Sequence, residues 1–175
     1  MNTITVGEIR NAKTQREAGV FASYEFFNFM KEKIADFPNN QKLLPLAITD
    51  YGGDFFDYAV IRYCAENNIR DFWYEETIWN GYNAFLVITD DQLKATNWYI
   101  LDIFEDFEEF YYNLEYNIIQ DEISRLFSES PSLRFYSRDV MHDVLAHYGH
   151  IIHNGQLDYD FDFIVKECQR RNGMA

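Results

Sequence analysis

The strongest chemical feature of the sequence is a run of carboxylates between residues 95 and 124. Lys94 precedes this stretch and Arg125 follows it, with no lysine or arginine between them. Carboxylates gathered in this way can bind a metal ion, work as an acid and base pair, or attract a basic partner. The eight that lie here are Asp102, Glu105, Asp106, Glu108, Glu109, Glu115, Asp121 and Glu122.

Half of these carboxylates are predicted to share one face of a helix. Apolar residues recur here at alternating steps of four and three, the period of an amphipathic helix. We name the face opposite to them the acidic ridge, which spans an arc of roughly 100°. Like charges at these spacings destabilise a helix by about 0.2–0.5 kcal/mol per pair, so folding alone would favour lysine or arginine there. The acidic ridge consists of Asp102, Glu105, Asp106 and Glu109.

The carboxylates do not resemble a catalytic site. They are too alike for an acid and base pair, which needs two different environments. Residues 105–109 lie on a predicted helix and lack the turn and glycine of a calcium loop. The sequence also has no Gly-x-Ser-x-Gly, no cysteine near a histidine and no glycine-rich phosphate loop. We therefore expect no catalytic residue, no cofactor and no enzymatic activity.

A second group is the histidines, all four of which fall within twelve residues. A helix predicted over 138–153 would place them on one face with Asp139 and Asp143. The spacing of Asp143 and His147 lets both side chains reach one metal ion, and His142-Asp143 resembles the paired ligands of metal phosphohydrolases. A metal-dependent hydrolase or nuclease using His142, Asp143 and His147 is therefore one alternative. A solvated polar face, or one docked on the acidic helix, is the other.

The elements around these groups predict an α+β fold, with a small antiparallel sheet and amphipathic helices that include the long acidic one. Asn80-Gly81, between two apolar runs, indicates a hairpin. We expect either one compact domain or an α+β lobe over residues 1–90 with a mainly helical lobe over 91–175. Strands are predicted at 3–7, at the start of 19–26, and at 43–51, 70–79 and 83–90. Strict alternation of aspartate with aromatic residues predicts a half-exposed strand or extended segment at 157–165. Helices are predicted at 24–36, 54–67 (with Asp54 as N-cap), 95–124 (capped by Asp90-Asp91) and 138–153, with a loop at 10–19 and a frayed tail from 169.

The net charge of −14 is concentrated in one segment. Residues 48–124 contain seventeen acidic and three basic side chains. Such a field repels nucleic acid and anionic membranes and attracts basic surfaces, although acidic surfaces also favour solubility. Cys64 and Cys168, with no signal-peptide pattern, predict reduced thiols in a cytoplasmic protein.

An acidic ridge of this kind can imitate DNA. Carboxylates three and four residues apart on a helix lie about 5–6 Å from each other, close to the spacing of phosphates along one strand. A mimic needs concentrated acid, no interspersed cations and a strong core, which the 18% aromatic content supplies. An acidic adaptor for a basic protein that never meets DNA is a further alternative. The predicted partner-binding surface comprises Asp54, Asp57, Glu75, Glu76, Asp90, Asp91, Asp102, Glu105, Asp106 and Glu109.

The composition resembles that of DNA-mimic inhibitors which phages and plasmids carry against restriction and CRISPR enzymes. Residues 4–54 are also similar to the first lobe of plasmid-borne antirestriction proteins of the ArdA type. In that lobe a strand, a glycine-containing turn, a second strand and a helix precede an AIxDYxG segment, here residues 47–53. Gly52 stands where that family has an acidic residue. The resemblance implies a non-enzymatic inhibitor in the DNA-binding groove of a restriction or CRISPR nuclease, often as a homodimer, in the cytoplasm of a bacterial host cell.

Overall fold

The computed structural model describes residues 4–18, 20–21, 23–48, 54–79, 82–93 and 98–173, apart from the side chains of 18, 20–21, 74–79, 82–83 and 98. The fold is α+β, as predicted. The chain forms two compact units: unit 1 comprises residues 1–52 and 59–110, and unit 2 comprises residues 53–58 and 111–175. The elements in chain order are α1 Val6–Asn11, α2 Gln15–Ala18, β1 Val20–Phe21, α3 Tyr24–Lys33, β2 Lys42–Ile48, α4 Phe56–Glu66, β3 Phe72–Trp79, β4 Tyr82–Thr89, β5 Trp98–Tyr99, α5 Ile100–Glu129, a 3₁₀ turn Pro131–Phe135, α6 Arg138–Tyr148, β6 His150–Ile151, β7 Leu157–Asp158 and α7 Phe161–Gly173.

Unit 1 is built on an antiparallel sheet in the order β2–β4–β3. Trp79 pairs with Tyr82, which confirms the predicted hairpin, although Asn80 and Gly81 lie outside the described residues. Pro45 is tolerated because β2 is an edge strand of this sheet. Residues 43–48 and 84–89 are all buried, so both faces of β2 and β4 are covered.

The core of unit 1 joins one face of this sheet to three helices. Leu43 and Ala47 of β2 and Leu86 and Ile88 of β4 pack in one cluster, as expected for side chains that alternate between faces. The helical members come from α1, α3 and the start of α5, and include Val6, Ile9, Phe26, Phe27, Met30, Ile100 and Phe104.

The predicted strand at 3–7 is wrong beyond Thr5, which forms one bridge with Lys42. A capping box begins α1 instead: Thr5 Oγ1 accepts a hydrogen bond from the Glu8 N–H, and Glu8 accepts one from the Thr5 N–H. Two orphan donors of the first turn are satisfied in this way, which outweighs the β preference of Val6. The predicted loop at 10–19 also contains the end of α1 and the short α2.

The core of unit 2 lies among the second half of α5, the 3₁₀ turn, α6 and α7. Its buried members include Ile119, Ile123, Leu126, Leu133, Met141, Val144, Leu145, Ile164 and Cys168. The strand or extended segment predicted at 157–165 is wrong from Phe161 onward, because only Leu157–Asp158 pairs and α7 begins at Phe161. Asp160 accepts a hydrogen bond from the Phe163 N–H, and Ile164 and Cys168 bury one helical stripe. The tail predicted to fray belongs to α7 as far as Gly173.

The helix predicted over 138–153 is also too long. Ser137 caps α6 by accepting from the Val140 N–H, but the helix ends at Tyr148. Asn154-Gly155, which directly follows the predicted helix, lies in the turn between β6 and β7. Gly155 has φ of +82°, a conformation that suits glycine.

Candidate functional site

The acidic ridge lies on the solvent side of α5. Asp102, Glu105, Asp106 and Glu109 are all exposed, whereas Phe107 is fully buried on the opposite side. The amphipathic helix predicted from the sequence is therefore confirmed, although it spans residues 100–129 rather than 95–124.

No cation neutralises the acidic ridge within the part of the chain that the structure describes. The ion pairs there join Arg125 to Glu122 and Glu129, His150 to Asp54, and Arg170 and Arg171 to Glu167. None of these pairs includes a ridge carboxylate.

Several cations of unit 1 bind backbone carbonyls instead of carboxylates. Arg10 donates to the carbonyls of Ile34 and Phe37 at 2.8 and 2.6 Å, beyond the C-terminal end of α3. Lys31 donates to the Ala12 carbonyl and Lys42 to the Asp90 carbonyl. These three cations therefore bind carbonyls at the ends of helices and loops. In the described part of the chain they form no ion pair with the ridge.

One carboxylate of the acidic ridge, that of Asp106, accepts a hydrogen bond from a buried tyrosine. Tyr63 of α4 donates a hydrogen bond of 2.5 Å to Asp106. Burial, together with Asp106, raises the pKa of Tyr63, so the phenol stays protonated and keeps donating. Its ring packs edge-on against Phe107 and Phe110, with centroids 5.2 and 5.3 Å away. Sequence reasoning missed this contact, because no local pattern joins residues 43 positions apart.

The flanking charges are less uniform than the sequence suggested. Asp91 does not cap α5, which begins at Ile100. Its carboxylate accepts hydrogen bonds from the N–H groups of Asp71 and Arg70 at 2.9 and 2.8 Å, and these lower the pKa of Asp91. Asp91 therefore fastens the start of β3, while its neighbour Asp90 is exposed.

The other flanking residues also differ from one another. Asp57 is exposed in the first turn of α4. Asp54 is exposed too, but its Oδ2 lies 2.5 Å from Nε2 of His150, and α4 begins two residues after it. Glu75 and Glu76 belong to β3, and their side chains lie outside the described residues.

The histidines do not share one helix face. His150 belongs to β6 and His153 to the turn after it, because α6 ends at Tyr148. His142 Nδ1 lies 2.9 Å from the Gln120 amide nitrogen, and its ring packs on Tyr116. Asp143 and His147 line an open surface depression with Arg171. Among the described residues, no group of three or more His, Cys, Asp or Glu side chains is arranged to hold a metal ion.

In the second half of α5, two carboxylates share an arginine as their ion-pair partner. Arg125 donates to Glu122 through Nε at 2.8 Å and to Glu129 at 2.6 Å. Tyr159 donates to Glu122 at 2.9 Å. The two contacts of Arg125 use the i,i+3 and i,i+4 spacings that the ridge fills with acid alone.

None of the described helices is long and apolar enough to span a membrane. Comparisons of the chain with protein-family models, curated proteins and solved structures found no match. The resemblance of residues 4–54 to antirestriction proteins therefore stays a prediction. Its expected first strand is α1 instead, and residues 49–53 of its AIxDYxG segment lie outside the described residues.

Proposed function

We propose that this protein is a DNA-mimic inhibitor whose acidic ridge occupies the DNA-binding groove of a restriction or CRISPR nuclease. The observation that carries the proposal is the set of four exposed ridge carboxylates on one helix face, with no cation paired to them in the described part of the chain. In this role the protein performs no chemistry, and Asp102, Glu105, Asp106 and Glu109 each replace a phosphate.

The axial spacing of the ridge supports this role. Seven residue steps separate Asp102 from Glu109, which is about 10.5 Å of helix at 1.5 Å per residue. The four carboxylates therefore have a mean axial spacing of about 3.5 Å, in steps of about 4.5, 1.5 and 4.5 Å. One strand of B-DNA carries a phosphate about every 3.4 Å along its axis. A groove that is lined with lysine and arginine for DNA meets a similar linear density of charge here.

A mimic must also hold its charges in place against their mutual repulsion. The buried side of α5 in unit 1 is fixed by ring contacts: Phe104 meets Phe26 edge-on at 5.5 Å, and Phe107 meets Tyr63 at 5.2 Å. Aromatic pairs of this kind contribute about 0.5–1.5 kcal/mol beyond their burial. The ridge thus stands on a packed layer and keeps its spacing when a partner approaches.

The test is a pull-down from bacterial lysate with three forms of the protein. The ridge variant carries Asp102→Asn, Glu105→Gln, Asp106→Asn and Glu109→Gln. The control variant changes net charge by the same amount at exposed acids elsewhere in unit 1, through Glu25→Gln, Glu32→Gln, Asp36→Asn and Glu66→Gln. Bound proteins are eluted with duplex DNA and identified by mass spectrometry.

We expect the wild-type protein and the control variant to retain a DNA-binding nuclease that duplex DNA elutes, and the ridge variant to lose it. Retention of the same nuclease by the ridge variant would refute the role of the ridge. A partner that duplex DNA does not displace would instead favour an acidic adaptor.

A further inference from the structure

The sheet of unit 1 has two edge strands, and the β2 edge is protected. Thr5 forms a bridge with Lys42 at the start of this strand. The Leu43 N–H also donates to the Ile4 carbonyl, at 3.1 Å. Pro45, further along β2, has no N–H to offer a neighbouring strand. The β2 edge is therefore occupied at its start and interrupted by a proline, which is a common way to prevent an edge strand from pairing.

The opposite edge, on β3, lacks these protections. β3 pairs with β4 in one continuous register without a bulge, and no other described strand pairs with it. The strand contains no proline, glycine or lysine. In an antiparallel pair, every second residue of an edge strand directs its N–H and C=O away from the neighbouring strand. Residues 73–79 therefore form an edge to which a further strand can add, and we name it the open edge.

An exposed aromatic side chain lies on the same strand. Trp73 is paired with Ile88 of β4, so the two side chains share one face of the sheet. Ile88 is fully buried in the core of unit 1, whereas 62% of Trp73 is exposed. The cover on this face thus ends before β3, and a strand added at the open edge would lie beside the indole.

The charge of this segment indicates what kind of strand would add. Residues 70–79 contain three acidic side chains and one basic side chain. Like charges directly opposite each other destabilise a pair of strands, and opposite charges stabilise it. A second copy of β3 would bring acid to acid, whereas an extended segment with lysine or arginine would bring base to acid.

We propose that the open edge binds an extended basic segment of another polypeptide, which adds to the three-stranded sheet as a fourth strand. Backbone hydrogen bonds to β3 would supply affinity, as in other cases of strand addition. The lysine or arginine side chains of the added strand would offset the negative charge of residues 70–79. The proposal rests on the edge of the sheet and does not require the acidic ridge.

The test is amide hydrogen exchange, followed by NMR on ¹⁵N-labelled protein. The probe is the peptide acetyl-Lys-Val-Lys-Val-Lys-Val-amide. One control peptide replaces its lysines by glutamates, and the other carries an N-methyl group at every peptide bond, which keeps the charge and removes the backbone donors. The test variant combines Glu75→Gln and Glu76→Gln. The matched control variant combines Glu25→Gln and Glu32→Gln, at exposed acids of α3 in the same unit.

We expect the basic peptide to bind saturably and to slow exchange at alternate amides of residues 73–79 by at least about tenfold. The amides of β2 should exchange as before, and neither control peptide should give this protection. The test variant should bind the basic peptide about three- to tenfold more weakly, because it loses two charges of the segment. The matched control variant should stay within about twofold of the wild-type protein.

Three results would overturn the proposal: equal protection by the N-methylated peptide, unchanged binding by the test variant, or no protection of alternate β3 amides. Protection that appears without peptide as the protein concentration rises would also overturn it, because a second copy would then be the occupant. Each of these results would leave the proposed function of the ridge as it stands.

Discussion

The two halves of α5 differ in the pairing of their carboxylates, since an arginine binds two of the four acids in the second half and none of the ridge carboxylates in the first. In residues 100–110 the four ridge carboxylates face solvent, and no cation among the described residues pairs with them. In residues 111–129, Arg125 binds both Glu122 and Glu129, and Tyr159 adds a third contact. The same helix thus contains the ordinary arrangement for a folded surface and an arrangement that folding does not favour.

This contrast separates solubility from binding. Solubility is served equally well by mixed charges of both signs, as in the group that Arg125 forms with Glu122 and Glu129. Four like charges at helical spacing lower the stability of a helix, and the first half of α5 retains all four. An external basic partner gives those charges a use, which is why the ridge carries our functional proposal.

The largest expected effect is on affinity for the nuclease captured through the ridge. Neutralising all four ridge carboxylates should weaken binding by about a hundredfold or more, because each charge contributes to one distributed field. Each single substitution should weaken binding by only a few fold. Calorimetric titration of the purified partner with the five variants measures this. Loss of binding from one substitution alone would indicate a specific site in place of a distributed surface.

The next largest expected effect is on the free energy of unfolding, through the hydrogen bond that Tyr63 donates to Asp106. Tyr63→Phe should lower the free energy of unfolding by about 1 kcal/mol, since it removes a hydrogen bond to a carboxylate that water can partly solvate in its place. Urea unfolding of Tyr63→Phe, Asp106→Asn and the double variant measures the coupling. Additive effects of the two substitutions would show that the 2.5 Å contact contributes nothing.

Neutralising charge in the two halves of α5 should change stability in opposite directions. The ridge variant should gain about 0.5–1 kcal/mol at low salt, because four like-charge pairs of about 0.2–0.5 kcal/mol each disappear while Asp106→Asn weakens the hydrogen bond from Tyr63. This gain should shrink near 1 M salt. Arg125→Ala should lose about as much, because Glu122 and Glu129 lose their partner. Arg134→Ala, an exposed arginine in the same unit, is the matched control. A loss of stability in the ridge variant would remove the contrast.

Several elements could be predicted because their signals are strong over many residues. The period of α5, the apolar run of β2 and the Asn-Gly hairpin each gave the right element. Short patterns failed where a local hydrogen bond decided the outcome: Thr5 with Glu8 begins a helix in place of a strand, and Asp160 begins α7 where alternation suggested extension.

The composition of the ridge could be predicted, but its support could not. Exposure of the four carboxylates follows from the helical period alone. The contact of Tyr63 with Asp106, the use of Asp91 to hold β3, and the pairing of Asp54 with His150 all join residues distant in sequence. Such contacts depend on the tertiary fold, which no local pattern encodes.

The smallest effect concerns the unpaired acid in the second half of α5. Burial raises the pKa of Glu115, so ionising it opposes folding. The cost is absent below the pKa of the unfolded chain, where both states are protonated, and it grows as pH rises through the raised pKa. Glu115→Gln should therefore gain a few tenths of a kcal/mol at neutral pH, after allowance for solvent screening, and nothing near pH 3. Urea unfolding at both pH values checks the sign.

The most direct test of DNA mimicry is competition between duplex DNA and this protein for one purified nuclease. If DNA and this protein compete for the same groove of the nuclease, the apparent dissociation constant of the protein should rise linearly with the concentration of added DNA. An apparent dissociation constant that stays the same at every DNA concentration would contradict the account, since the two ligands would then occupy different surfaces.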